Sequence, residues 1–467
     1  MFFCLFAAFL MLAPLFKAGN RPLPLLLLEL AALGFLLAIV AVHRAPLEVP
    51  RPVMVAIGVL VVYPLVQLVP LPEVVWRALP GHGEYASVLD RYAGEAGARA
   101  WRAISVIPTA TEYGWLALLP PLACFVCALR LSSSHVARLM LLFVVLAGAE
   151  GVLGLLQVGP SGGGMLYFGN EEPGQYVAIG TFVNRNHLAA LLAMALPVII
   201  GLIVYSMRAG RHNVHHNVRA PSSEATAKRA LLFGTGVIVL VCLLFTRSRA
   251  GIATGVAGLA CAGVVLVRAA AARAHPSRLR TANLIAAALI VISAGIALAI
   301  GIGPILRGLA PQALHSSADF RWAIYAATWD GAIQFLPFGS GLSTYAGVFP
   351  RFQVTDAGGY IDYAHNDYLQ ALMELGLAAP VIIGLLIVAW AKRCRELLRD
   401  EAARSFTLLQ LAAALAMVPM MLHSFFDFAL HMPANAMWFA ALAGVMFHHG
   451  VERDPVPRAS HSHRLTA

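Results

Sequence analysis

The sequence predicts an all-α polytopic membrane protein, and three observations carry that prediction. Of 467 residues, 60% are hydrophobic and only 12% are charged. The mean hydropathy is +0.76. The apolar residues also gather in runs of about 20, the length that crosses a hydrocarbon core as a helix. A soluble domain of this size could not bury so much apolar surface.

Apolar runs at 2–16, 23–42, 53–72, 113–130, 138–158, 187–207, 230–246, 250–267, 283–303, 367–391, 406–423 and 433–448 predict about twelve membrane helices. The first run lacks a basic leader and a small-residue cleavage site before Lys17, so it reads as a retained helix. The runs flanking Thr246–Gly251 read as one hairpin or as two tightly joined helices. Basic residues set the orientation: Arg208–Arg229 carries five, Arg268–Arg280 four and Lys392–Arg404 five, all on one side if twelve spans hold. That side is expected to be cytoplasmic, with both termini. The segments 73–112, 160–186 and 304–366 then fall outside, and the last forms a long extracytoplasmic loop carrying short helices. The expected division is 1–179 for the N-terminal helices, 180–391 for a core that includes loop 304–366, 392–448 for the last helices, and 449–467 for a disordered cytoplasmic tail.

The net charge of +10 lies in short loops between apolar runs, with no basic stripe and no interleaved aromatics, which argues against nucleic acid. Six cysteines are scattered, five of them in apolar runs, and give no disulfide framework. Cys124 and Cys127 form a CxxC without a second ligand pair and read as small helix residues. His212, His215 and His216 lie in a basic loop without a carboxylate or cysteine, and His461 and His463 lie in the polar tail. No metal site and no cofactor are expected.

Three polar clusters stand at outer helix ends: Asn184-Arg185-Asn186-His187, Thr246-Arg247-Ser248-Arg249 and His365-Asn366-Asp367. A fourth basic residue, Arg321, follows Asp319 in the long loop. Charged and polar groups at a membrane edge are costly unless something uses them. Arginine gives bidentate, charge-assisted bonds to phosphate, and a helix N-terminus adds free N–H groups and a positive dipole end. The set suits a phosphate- or pyrophosphate-bearing lipid. Asp367 and Gln370 have capping-box spacing, so Asp367 reads as a helix cap or a site residue, and His365 is left for proton chemistry near neutral pH. Arg247 and Arg249 also read as snorkelling residues of a turn. The turn Leu336-Pro337-Phe338-Gly339-Ser340-Gly341 could bring backbone close to a ligand, but the Gly-Lys-[Ser/Thr] of a P-loop is absent. Trp76, Tyr85, Tyr92 and Trp101 in 73–112, with Tyr113 and Trp115 just after it, read as an interfacial belt or as an acceptor-docking surface.

Gly180-Thr181-Phe182-Val183-Asn184-Arg185-Asn186-His187, Thr246-Arg247-Ser248-Arg249-Ala250-Gly251, Arg321 with Pro337-Phe338-Gly339-Ser340-Gly341, and His365-Asn366-Asp367-Tyr368-Leu369-Gln370 with Glu374-Leu375-Gly376 resemble, in that order, the O-antigen ligase and polymerase superfamily. The resemblance covers about 180–376. It implies a metal-independent, inverting glycosyltransferase with a GT-C-like fold, in the bacterial inner membrane and active on the periplasmic face. The implied donor is a glycan on undecaprenyl pyrophosphate. The implied acceptor is lipid A-core, with another glycan or a protein as alternatives. Arg249 (or Arg247), Arg321 and His365 match the key residues of such ligases. Arg185, Arg247, Asn184, Asn186, His187 and Asn366 are expected to bind the lipid-linked donor. Polymerase and protein O-oligosaccharyltransferase readings share this chemistry. Two rivals differ in kind: a glycosidase-like carboxylate pair, Asp362 and Asp367, and a transporter, for which the few acids at spans (Glu29, Glu150, Glu374) and the lack of an internal repeat offer little support.

Overall fold

The computed structural model describes residues 1–42, 46–92, 101–158, 177–209, 223–271, 284, 287, 311–353, 360–399 and 405–449. The expected span 283–303 apart from 284 and 287, the glycine-rich start of 160–186, the His212–His216 stretch, residues 272–280 of the basic loop, the side chain of Asp319 and the tail from 450 lie outside the described residues.

The helices, in chain order, are α1 (Phe2–Leu12), α2 (Pro22–Val42), α3 (Arg51–Gln67), α4 (Glu73–Ala78), α5 (Gly83–Tyr92), α6 (Pro108–Leu116), α7 (Leu119–Leu129), α8 (Ser133–Leu156), α9 (Arg185–Ala209), α10 (Ser223–Phe245), α11 (Arg249–Ala271), α12 (Pro311–Phe335), α13 (Tyr345–Val348), α14 (Asp367–Leu375), α15 (Ala378–Arg399), α16 (Ser405–His423) and α17 (Pro433–Phe447). Two short strands, β1 (Pro70–Leu71) and β2 (Arg102–Ala103), pair antiparallel. Among the described residues, seven helical stretches are long and apolar enough to cross a membrane: Pro22–Val42, Pro108–Leu129, Ser133–Leu156, Arg185–Met207, Ser223–Phe245, Arg249–Leu266 and Ser405–His423. Three shorter apolar helices, Phe2–Leu15, Arg51–Gln67 and Pro433–Phe447, join them.

The count of about twelve spans therefore stands as seven long candidates plus shorter apolar helices, and one expected span is corrected outright. The run 367–391 is two helices, because Gly376 ends α14 at φ +56. A Cβ there would meet the Pro337 carbonyl oxygen at 2.1 Å, so only glycine allows the backbones this close. The Thr246–Gly251 pair resolves as two helices joined by a tight turn, with Arg247 left-handed at φ +52.

The main core is built around α9, the most buried of the seven candidates. Small residues let neighbours approach closely: Gly201 faces Ala412 of α16, and Gly258 of α11 faces Pro419. A second, separate core gathers Ile324, Phe335, Tyr345, Phe349, Ala364 and Met373, with Tyr85, Val106 and Ile107 packed against it. This body joins α12, α13 and α14 to the segment between α4 and α6. Cys124 and Cys127 are both buried and free in α7.

Candidate active site

Each side chain of the site is delivered by a fixed local structure. The loop before α9 is clamped by α8. Glu150 accepts from the Thr181 N–H at 2.9 Å and the Thr181 hydroxyl at 2.6 Å. Gln157 accepts from the Gly180 N–H at 2.8 Å and donates to the Gly180 carbonyl at 2.8 Å. Asn184 then accepts from the Asn186 N–H at 2.8 Å through Oδ1, and Arg185 opens the helix. Ser248 accepts from the Gly251 N–H at 3.2 Å, and Arg249 opens α11.

Arg185 lies within electrostatic reach of Arg249 and Arg321, which repel it, and of Asp427, which attracts it. Tyr325, one turn beyond Arg321, shares its hydroxyl proton between the carbonyls of His365 at 2.8 Å and Phe425 at 3.2 Å. That bond fixes α12 against the loop bearing His365. Burial pushes the Tyr325 phenol up to about 12, with Asp427 adding to the rise and Arg321 opposing it, so it stays a donor.

His365 adopts φ +52, a left-handed conformation that is uncommon without glycine. Its Nδ1 stands 3.4 Å from Asp427 Oδ1, and its ring meets Phe428 edge-on at 5.0 Å. Asp427 is almost fully buried. Its Oδ1 accepts from the Phe428 N–H at 2.9 Å and lies 3.8 Å from His187 Nε2, while Oδ2 lies 4.0 Å from an Arg321 nitrogen. Burial works to raise its pKa, but the His365 hydrogen bond and the surrounding histidines more than offset this and hold it below the usual carboxylate range. An ionised Asp427 favours the His365 tautomer with hydrogen on Nδ1, which leaves the lone pair on Nε2.

Asp367 is corrected as the helix cap. The cap is Asn366, whose Oδ1 accepts from the Leu369 N–H at 3.0 Å. Asp367 instead bonds His431 Nδ1 at 2.7 Å. His431 Nε2 meets Gln370 Nε2 at 3.2 Å, and Gln370 in turn donates to Glu374 at 3.1 Å. Glu374 accepts from the Ser343 N–H at 2.8 Å and the Tyr345 N–H at 3.2 Å. This chain ties α14 to the 337–345 turn. Asn184 and Asn366, expected to bind donor, both use their side-chain oxygens on backbone. His187 is buried behind Asp427, against Phe428 at 4.7 Å. Asn186 stays partly exposed at the rim.

Asp427, His423, Phe428 and His431 were not foreseen. His423 ends α16, and the other three lie between α16 and α17, where Ser424-Phe425-Phe426-Asp427-Phe428 is a mostly apolar connection. The overlooked signal was a carboxylate flanked by histidines at the end of a span. Among the described residues no group of three His, Cys, Asp or Glu is disposed to hold a metal ion.

Residues 234–383 match the family model described as O-antigen ligase, Wzy_C. Over that stretch the chain is similar to an O-antigen ligase domain. The matched stretch holds Arg247, Arg249, Arg321, His365, Asn366 and Asp367; Asn184–His187 and Asp427 lie outside it and reach the site through the fold. The O-antigen ligase domain is of the membrane glycan-transfer type that includes ligases and polymerases. No curated protein matches the chain.

Proposed function

We propose that the protein transfers a glycan from undecaprenyl pyrophosphate to an acceptor hydroxyl at the periplasmic face of the bacterial inner membrane, as an O-antigen ligase acting on lipid A-core. The observation that carries this reading is buried Asp427, whose carboxylate stands 3.4 Å from His365 Nδ1 and 4.0 Å from an Arg321 nitrogen, with Arg185 and Arg249 in electrostatic reach. Guanidinium groups give bidentate, charge-assisted bonds to phosphate oxygens, and pyrophosphate offers such oxygens.

In this scheme the three arginines grip the pyrophosphate and stabilise the charge that grows as it leaves. His365, oriented through Nδ1 by Asp427, accepts the proton of the acceptor hydroxyl at Nε2. The hydroxyl oxygen forms its bond to the anomeric carbon as the bond to the pyrophosphate oxygen breaks, which inverts the configuration. The leaving group departs as an anion, so no acid is required. Asp367 is engaged with His431, which weakens the rival reading of it as one of a glycosidase pair.

The test is transfer from purified lipid-linked glycan to lipid A-core in liposomes. Arg321→Ala and His365→Ala are expected to lose at least 100-fold in turnover with folding retained. Near-wild-type turnover in both overturns the assignment. Transfer to a second lipid-linked glycan, or to a protein, in place of lipid A-core would reassign the acceptor.

A further inference from the structure

Some distance along α12 from Arg321, residues 76–89 and 101–108 form a cleft of about 640 Å³ with the 3-10 turn at Phe349–Arg351, within the ~300–1,000 Å³ of small-molecule sites. Its walls are aromatic. Trp76 is buried and anchored by its indole N–H to the Ala103 carbonyl at 2.8 Å. Trp101 is 66% exposed. Tyr85 lies beneath the Arg351 guanidinium at 5.4 Å. Its rim is charged: Arg102 lies 5.6 Å over the Trp76 ring, and Arg351 pairs with Glu84 while donating to the Gly81 carbonyl at 3.0 Å and to Gln334 at 2.9 Å.

We propose that this cleft binds a sugar of an oligosaccharide whose reacting end lies at Arg321 and His365, a reading that rests on the proposed glycan transfer. A pyranose has an apolar C–H face that stacks on indole or phenol and an edge of vicinal hydroxyls. The second oxygen of Glu84 and the two N–H groups that Arg351 has left beyond its bonds to Glu84, Gly81 and Gln334 match that edge. A lipid chain would leave those groups unmet, and a phosphate would be opposed by Glu84. Position agrees. Phe335 packs within 6.4 Å of Tyr85, and the 14 residues from Arg321 to Phe335 rise about 21 Å along α12. The cleft is a short oligosaccharide away from the reacting atoms, and the second core, which holds both Phe335 and Ala364, keeps that separation fixed.

The experiment uses the full chain in detergent and two probes: the repeat-unit oligosaccharide released from the lipid-linked donor by mild acid, and the core oligosaccharide released from lipid A. One of them is expected to bind, and Trp101→Ala and Glu84→Gln each to weaken it at least tenfold. The probe that binds says whether the donor glycan or the acceptor occupies the cleft. In transfer assays the same variants are expected to raise the KM of that substrate tenfold at unchanged kcat, and to match wild type when it is trimmed to one sugar. Trp101 is exposed and Glu84→Gln is isosteric, so thermal melting should stay near wild type. Binding of neither probe, or binding indifferent to both substitutions, overturns the cleft. Trp101-dependent binding without any transfer activity keeps the cleft and overturns the transferase reading instead.

Discussion

At the scale of single residues, the site depends on a carboxylate that touches no acceptor or donor in the scheme. Asp427 orients His365 and stands near Arg321, so Asp427→Asn should lower kcat on the order of 100-fold. The donor KM should change little, because the arginines remain. Equal losses in both parameters would count against an orienting role. A second dyad gives a pH test. Burial pushes His431 down, but the Asp367 hydrogen bond and charge, with Glu374, more than offset it and leave its pKa raised. A histidine held above its unfolded value of about 6.5 stabilises the fold below that pH, and the contribution is lost as pH rises through the folded value. Melting temperature in detergent should therefore fall as pH is raised from about 6.5, and Asp367→Asn should flatten that slope. The residue scale was only partly legible in the sequence. Arg185 and His365 announced themselves by standing as polar groups at apolar helix ends, and Arg321 as a basic residue in the long loop. Asp427 did not, because it sits among phenylalanines in a short connection.

At the scale of elements, the arginines are aimed by neighbours with no charge chemistry of their own. Gln157 holds the loop ahead of Arg185 through both Gly180 backbone groups and the Ile179 N–H. Gln157→Ala leaves these buried groups without it, at a cost of about 1–3 kcal/mol. The expected result is a lower melting temperature and a higher donor KM. An unchanged KM would mean that the loop keeps its shape unaided. Helix existence was readable from hydropathy alone, since each described span follows its apolar run within a few residues. The break in 367–391 was not. Nothing in that run's hydropathy marks Gly376 as a stop, because the reason lies in the Pro337 carbonyl that approaches it from 39 residues upstream. The cap was misassigned by one residue for a related cause. Asp367 has the right spacing to cap, but His431 arrives from another helix end and takes its carboxylate.

At the scale of the whole molecule, two cores divide the labour. The apolar one, around α9, is what composition predicts for a membrane protein. The smaller one, which joins Tyr85, Val106 and Ile107 to α12, α13 and α14, was visible only as a cluster of aromatics and mixed charges. A transporter would move its substrate without a glycan donor. Flux across liposomes lacking donor is expected to stay at background, and measurable flux would overturn the transferase reading. Within the smaller core, the 337–341 turn is locked to the end of α14. The Ser340 N–H donates to the Met373 carbonyl at 2.9 Å, the Gly341 N–H to the Glu374 carbonyl at 3.0 Å, and the Leu377 N–H to the Pro337 carbonyl at 3.0 Å. Gly339 sits inside this knot at φ +77, where a Cβ would stand 2.3 Å from the Glu374 carbonyl oxygen. That knot sets the unit in which the protein can be recombined. A chimera that exchanges the 337–341 turn must exchange residues 373–377 with it, since each half of the joint is shaped to the other's backbone.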